Sequence, residues 1–146
     1  MRYAKIVCPV DFSPSSHEAL VAAADLARTF DSLLTLLHVY QLPVLAVPEM
    51  SLNPEILVQM MKSTDEALSK WTQEAIGLGA PRVESTKIEG LAWDSIVALA
   101  RDRHADLIVI GTHGRTGLRH ALMGSVAERV VRHAACPVLV VRSSLT

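Results

Sequence analysis

Short apolar runs along this chain alternate with longer segments in which apolar residues recur every three or four positions. The short runs predict strands, and runs without polar alternation are typical of strands buried on both faces. The run at residues 82–88 alternates and is more polar, which indicates an edge strand. The five predicted strands are Ala4–Val10, Leu33–Val39, Arg82–Ile88, Asp106–Ile110 and Pro137–Val141.

The segments between these runs predict four helices, because their apolar residues fall on one helical face. Ser13 is the expected N-cap of the first helix, with Pro14 at its first position, although Ser15 and Glu18 also have capping-box spacing. The predicted helices run from Ser13 to near Phe30, from Asn53 to Gly77, from Leu91 to His104, and from Gly124-Ser125 to Val131. Residues 41–54 hold three prolines and predict a loop that could cover a ligand.

Strands that alternate with helices indicate an α/β fold with a parallel sheet and right-handed crossovers. With 146 residues, the chain is expected to form one domain over residues 1–146. The pattern of apolar positions does not by itself give the order of the strands in the sheet.

The composition argues against several classes of protein. The net charge of −1 argues against general nucleic-acid binding, and no apolar run approaches the roughly 20 residues of a membrane span. The N-terminal residues lack the layout of a signal peptide. Cys8 and Cys136 each precede a proline and form no C-x-x-C pair, so we interpret them as small core residues of a cytoplasmic protein.

One segment carries the candidate chemistry. Residues 111–126, GTHGRTGLRHALMGSV, follow a predicted buried strand and lead into a predicted helix. Glycines at positions 111, 114, 117 and 124 permit unusual torsion angles and a close approach to a ligand. The N–H groups at a helix start lack intrahelical partners and carry partial positive charge, and Ser125 stands where an N-cap is expected. The expected ligand is a phosphate group.

Two common phosphate-binding motifs do not fit this segment. The Walker A pattern requires a Gly-Lys-Ser/Thr sequence that is absent, and the dinucleotide fingerprint requires G-x-G-x-x-G rather than the G-x-x-G-x-x-G found here. The spacing that begins at Gly111 is instead G-x2-G-x9-G-S, which resembles the ATP-binding signature of the universal stress protein family. The resemblance covers essentially the whole chain and is strongest at Ile6–Ser13, Leu37–Val39 and residues 105–141.

This resemblance implies an open parallel five-stranded sheet in the order 3-2-1-4-5, flanked by helices. Such a fold is Rossmann-like and similar to that of the adenine nucleotide alpha hydrolases. In that order the first and fourth strands are neighbours at the topological switch point, where open α/β sheets bind ligands. The two segments that follow these strands, at Asp11 and at Gly111, are therefore expected to meet in one crevice.

The resemblance also implies a set of nucleotide contacts. The family residue that matches Val39 meets the adenine through its backbone. Asp11 could accept hydrogen bonds from ribose or help to hold Mg²⁺, or it could cap the local turn. His113 is a candidate phosphate donor, and Arg115 could neutralise phosphate charge. The predicted binding residues are Pro9, Val10, Asp11, Val39, Gly111, His113, Gly114, Arg115, Gly124, Ser125 and Val126.

Other kinds of site find less support in the sequence. The six histidines form no compact ligand spacing, so no metal site of the protein's own is predicted. Ser125 does not lie in a G-x-S-x-G nucleophile elbow, and no catalytic residue is predicted. Arg119 and His120 are interpreted as residues of a solvated loop.

We therefore predict an ATP-binding regulatory or sensor protein of the stress response, with ATP, or alternatively ADP or AMP, bound together with Mg²⁺. Its nucleotide state would govern contacts with an unknown regulatory protein. A slow ATPase or nucleotidyl-transfer enzyme that uses the same pocket is the first alternative, and a family member that has lost its nucleotide is the second. The apolar final strand, residues 137–142, predicts a homodimer formed by edge pairing.

Overall fold

A computed structural model of the chain describes residues 2–42, 53–113 and 123–143. The strands are β1 Lys5–Pro9, β2 Leu33–Tyr40, β3 Arg82–Glu89, β4 Leu107–Gly111 and β5 Val138–Val141. The helices are α1 Pro14–Phe30, α2 Pro54–Gly77, α3 Ala92–Asp102 and α4 Ser125–His133. Every predicted strand and helix is present, with small shifts at the ends. Most of the predicted 41–54 loop lies outside the described residues.

The five strands form one parallel sheet in the order β3-β2-β1-β4-β5. The order that the resemblance implied is confirmed, and β3 is an edge strand as its polar alternation predicted. Strand β1 is central, with Ile6 opposite Leu107 of β4 and Lys5 opposite Leu33 of β2. Strands β2 and β3 lie on one side of β1, whereas β4 and β5 lie on the other, so the carboxyl ends of β1 and β4 form the switch point.

Two helices cover each face of the sheet. On one face, Leu20 of α1 and Leu68 of α2 belong to the same buried cluster as Ile6. On the opposite face, α3 and α4 form a second cluster around Val7. Because successive side chains of a strand point to opposite faces, β1 supplies both clusters and is almost completely buried.

Side-chain caps fix where two of the helices begin. The Ser13 hydroxyl accepts a 3.2 Å hydrogen bond from the Ser16 amide, with Pro14 at the first helical position. This confirms the predicted N-cap rather than the alternative start at Ser15. At α2, the Asn53 side chain accepts a 3.0 Å hydrogen bond from the Glu55 amide. Both helix starts therefore follow from local residue choice.

Two further expectations concerned the cysteines, interpreted as core residues, and the absence of a membrane span. Cys8 is fully buried in the sheet, and Cys136 is half-buried before β5. Both thiols are free. None of the helices in the described ranges has the length and the apolar content that a membrane span needs.

Candidate functional site

A cavity of about 250 Å³ opens at the carboxyl ends of β1 and β4. Its lining comes from residues 9–11, 37, 39, 92, 96, 110–113 and 123–127, together with Ser16. We call it the switch-point cavity. It lies at the edge of the sheet where the sequence predicted that a ligand would bind.

Strand β1 and the turn after it form one wall of the switch-point cavity. The Val10 amide donates a 2.8 Å hydrogen bond to the Leu37 carbonyl. His38 Nδ1 lies 2.9 Å from the Val10 carbonyl oxygen. Because a carbonyl only accepts, Nδ1 of His38 must carry the hydrogen. The backbone of Val10 is thereby fixed on both its donor and its acceptor side.

Asp11 contributes to the cavity wall and also shapes the turn that follows. Its Oδ1 accepts a 3.0 Å hydrogen bond from the Ser13 amide, and its own amide donates to Ser16 Oγ at 3.3 Å. The local capping role that the sequence left open is therefore present in the structure. Since Asp11 also lines the cavity, the same carboxylate stands beside any ligand bound there.

One side of the cavity is an apolar slot. Val39, one residue before the end of β2, lies on this side, and Ala92 and Ile96 come from successive turns of α3. Met123 and Ala127 close the slot from the α4 side. A flat aromatic ring is the kind of group that such a slot can bury.

The other side of the cavity joins β4 to α4 through backbone contacts. The Gly124 amide donates a 2.6 Å hydrogen bond to the Thr112 carbonyl. The Thr112 hydroxyl donates to the Val141 carbonyl at 3.1 Å, and Thr112 is buried. The amides of residues 125–127, in the first turn of α4, have no acceptor within the helix. This wall therefore offers N–H groups and a positive helix end to a ligand.

The start of α4 corrects one expectation from the sequence. Gly124, with φ −68° and ψ 160°, is the N-cap residue, and no side chain caps the helix. Ser125 is already the first helical residue and is exposed. The serine hydroxyl is thus not the cap that its residue type suggested, because the helix begins one residue earlier than that assignment requires.

The glycines at this site serve close approach rather than unusual torsion angles. Neither Gly111 nor Gly124 has a positive φ, contrary to that part of the expectation. A Cβ on Gly111 would lie 2.7 Å from the Ser15 carbonyl oxygen of α1. A Cβ on Gly124 would lie 2.9 Å from the Thr112 carbonyl oxygen. The first glycine lets α1 pack on β4, and the second lets the start of α4 pack on the end of β4.

The structure brings most of the predicted binding residues together. The following line the switch-point cavity: Pro9, Val10, Asp11, Val39, Gly111, His113, Gly124, Ser125 and Val126. Gly114 and Arg115 lie outside the described residues, as do Arg119 and His120. Whether the nine that share the cavity touch a nucleotide stays a prediction.

Sequence reasoning missed the residues that make the slot apolar. Ala92 and Ile96 follow the edge strand β3, far along the chain from every motif, so no motif indicated them. Thr112 had a usable signal, since it lies between two residues that were selected. Ser16 had none beyond its place in the first turn of α1.

Few ionisable groups face the cavity. In the described part of its lining, the ionisable side chains are those of Asp11 and His113. Across residues 2–42, 53–113 and 123–143, no three His, Cys, Asp or Glu side chains group as a metal site would require. A divalent ion could still bind with its ligand's phosphates, because Mg²⁺ commonly uses one or two carboxylates together with phosphate oxygens.

Comparisons with known proteins agree on one family. The model of the Universal stress protein family matches residues 2–142. The universal stress protein MJ0531 of Methanocaldococcus jannaschii is 39% identical, over 96% of this chain and 82% of the relative. Among solved structures, the hypothetical protein MJ0577 superposes with a TM-score of 0.87 at 29% identity, covering 100% of both chains.

Two other solved relatives carry a bound nucleotide. A universal stress protein in complex with cAMP has a TM-score of 0.72 at 27% identity, covering 99% of this chain and 100% of its own. The universal stress protein from Archaeoglobus fulgidus in complex with dAMP has a TM-score of 0.66 at 27% identity, covering 96% and 98%. Both ligands contain adenine and a phosphate.

Proposed function

We propose a function from the premise that this chain belongs to the universal stress protein family. The protein binds an adenine nucleotide, ATP with Mg²⁺ in the first instance, and acts as a regulatory protein whose nucleotide state governs its contacts with a partner. One observation carries the proposal: an apolar slot and the N-terminus of α4 open into the same switch-point cavity. A base and a phosphate chain require that combination.

The lining suggests where each part of the nucleotide would lie. The adenine would occupy the slot formed by Val39, Ala92 and Ile96. The ribose would lie near Asp11, whose carboxylate can accept hydrogen bonds from hydroxyl groups. The phosphates would lie at the first turn of α4, beside Gly124 and the amides that follow it.

The choice of an adenine nucleotide draws support from the two solved relatives with cAMP and dAMP. The choice of ATP over those monophosphates draws on the G-x2-G-x9-G-S spacing of the chain. Mg²⁺ would bind to the phosphates and to Asp11, the carboxylate in the described cavity lining. We place this regulatory protein in the cytoplasm, because its two cysteines are free thiols.

The assembly proposed is a homodimer joined through β5. This strand lies at the edge of the sheet, and Leu139 is 41% exposed. An edge strand with an exposed leucine and no charge from Val138 to Val141 favours pairing with a second copy. A two-fold axis beside β5 would satisfy the outward-facing backbone groups of both copies.

Two measurements test the nucleotide proposal. Nucleotide released by acid from the purified protein would be identified by chromatography, and we expect an adenine nucleotide. Calorimetry on the emptied protein would compare ATP, ADP and AMP with GTP, and we expect ATP with Mg²⁺ to bind more tightly than GTP. Equal affinity for ATP and GTP, or no binding of either, would overturn the proposal.

A pair of variants tests whether the ligand binds in the switch-point cavity. Ala92→Phe fills the slot and should abolish ATP binding, because the new ring takes the space of the base. Ala135→Phe adds the same ring at an exposed position outside this cavity and should leave ATP affinity unchanged. Unaltered affinity in a folded Ala92→Phe variant would locate the ligand elsewhere.

A further inference from the structure

Phe12 has an uncommon backbone conformation beside the switch-point cavity. Its φ is 64°, in the left-handed region that a residue with a side chain seldom adopts. Phe12 follows Asp11, which lines the cavity, and precedes Ser13, which caps α1. A conformation of this kind persists only where the surrounding contacts stabilise it.

Two other aromatic rings, those of His38 and Trp71, contact the Phe12 ring. The His38 ring of β2 lies 4.8 Å away between centroids, at an angle of 34°. The Trp71 ring of α2 lies 5.2 Å away in an edge-to-face arrangement of 89°. These distances are favourable for aromatic pairs. His38 also donates to the Val10 carbonyl, so the residue that contacts the Phe12 ring is hydrogen-bonded to the cavity wall.

Trp71 is held in place by contacts with α1. Its ring meets the His17 ring at 5.4 Å in a second edge-to-face arrangement. His17 Nε2 in turn lies 2.5 Å from Glu74 Oε1, one helical turn beyond Trp71 on α2. The Trp71 ring on α2 is therefore held against α1 by His17, independently of its contact with Phe12.

We propose that Trp71 is a positioning residue for the nucleotide site. Trp71 does not line the switch-point cavity. Acting through Phe12, it holds the turn in which the Ser13 amide donates to Asp11 Oδ1, and so keeps Asp11 at the cavity. Its role for ligand affinity rests on the proposed function, whereas its role in the turn does not.

The test compares Trp71→Leu with Trp71→Phe and the unaltered chain. We expect Trp71→Leu to speed amide hydrogen exchange at Asp11 and Ser13 by about tenfold, because the turn opens locally when the Phe12 contact is lost. The Val7 amide, in the core of the sheet, reports global opening and serves as the reference. ATP affinity should fall by about three- to tenfold. Trp71→Phe should restore both, since an aromatic edge remains.

A matched control removes an aromatic pair far from the cavity. Phe30, at the opposite end of α1, meets the Tyr3 ring edge-to-face at 5.2 Å. Phe30→Leu should lower stability while leaving ATP affinity and the exchange of Asp11 and Ser13, relative to Val7, unchanged.

The proposal is overturned if Trp71→Leu accelerates the two turn amides no more than Phe30→Leu does. If the unaltered chain binds no adenine nucleotide, the proposed function fails, and the exchange rates still decide whether Trp71 holds the turn. If Trp71→Leu does not fold, Phe12→Asn makes the same comparison. Asparagine tolerates the left-handed region and lacks the ring, so faster exchange would support the proposal and unchanged exchange would refute it.

Discussion

The Gly124 amide donates a 2.6 Å hydrogen bond to the Thr112 carbonyl oxygen, and a Cβ on Gly124 would lie 2.9 Å from that same oxygen. The contact joins the end of β4 to the start of α4, and both residues line the cavity. Any side chain at position 124 must push the two segments apart. The site's polar wall therefore depends on this one close approach.

Gly124→Ala should weaken ATP binding by at least about tenfold, or about 1.4 kcal/mol, because the amides of α4 are displaced from the phosphate position. Gly124→Val should abolish binding, since a β-branched side chain also enters the cavity. Gly77→Ala is the matched control, because a Cβ there meets nothing within 4 Å. Calorimetry that finds equal ATP affinity in Gly124→Ala and Gly77→Ala would contradict the placement of the phosphates.

Gly111→Ala should lower the free energy of unfolding by about 1–3 kcal/mol. The added methyl group would meet the backbone of Ser15 at 2.7 Å, and the backbone of α1 cannot yield as a side chain would. Urea unfolding measures the effect. Gly77→Ala again supplies the comparison, with an expected change within about 1 kcal/mol, in the stabilising direction. Equal stability of the two variants would show that α1 does not pack on β4 as closely as described.

Val140→Pro should convert the proposed dimer to a monomer. The Ile108 amide donates to the Pro137 carbonyl, and the Thr112 amide donates to the Val141 carbonyl. The backbone N–H and C=O groups of the odd-numbered residues of β5 therefore point toward β4. By alternation, the Val140 amide points away from β4, toward the edge. Proline at this position removes an edge donor without removing a hydrogen bond between β4 and β5.

Sedimentation at about 50 µM, a concentration at which interfaces of ordinary affinity are occupied, measures the change. Val140→Ile keeps the amide and should remain dimeric. Leu139→Lys places a charge at the exposed edge and should also give a monomer. An unaltered chain that is monomeric at this concentration would refute the edge-paired dimer.

The Cys8 thiol should make stability fall at high pH. Burial raises its pKa from 9.0 to about 12. Between these values the unfolded chain releases a proton that the folded chain keeps, so stability is complete below pH 9 and declines as pH rises toward 12. From pH 8 to pH 10 this thiol should cost about 1.4 kcal/mol of unfolding free energy.

Urea unfolding of the unaltered chain and of Cys8→Ala, each at pH 8 and pH 10, isolates the effect. The alanine variant loses packing at both pH values but lacks the titrating group, so its decline should be smaller by about 1.4 kcal/mol. Parallel declines in the two proteins would mean that the Cys8 thiol reaches solvent and ionises in the folded state.

ATP hydrolysis should be slower than about 1 per second, below the range of typical enzymes. Phosphoryl transfer requires a group that orients water and a cation that meets the developing charge. In the described cavity lining, the ionisable side chains are those of Asp11 and His113, and no lysine or arginine lies among these residues. A steady-state phosphate-release assay on the unaltered chain and on His113→Ala measures this. Turnover of 1 per second or faster that His113→Ala abolishes would identify an enzyme instead.

The local elements of this protein could be predicted from its sequence. The alternation of apolar runs and helical spacing predicted all five strands and four helices, and Ser13 with Pro14 predicted the start of α1. Local features are predictable because backbone preference, capping and side-chain periodicity act within a few residues. The family resemblance, rather than the periodicity, predicted the order of the strands, since pairing joins segments that are distant along the chain.

The composition of the site depends on contacts between distant parts of the chain. The slot residues Ala92 and Ile96 reach the cavity because α3 packs on the same face of the sheet as α4. Gly111 is a glycine because Ser15, 96 positions earlier, lies against it, and the ring of the left-handed Phe12 packs against Trp71 of α2. Each of these is a contact between side chains or backbones that only folding brings within a few ångströms. Packing at that distance depends on the positions of whole elements, which no short stretch of sequence contains.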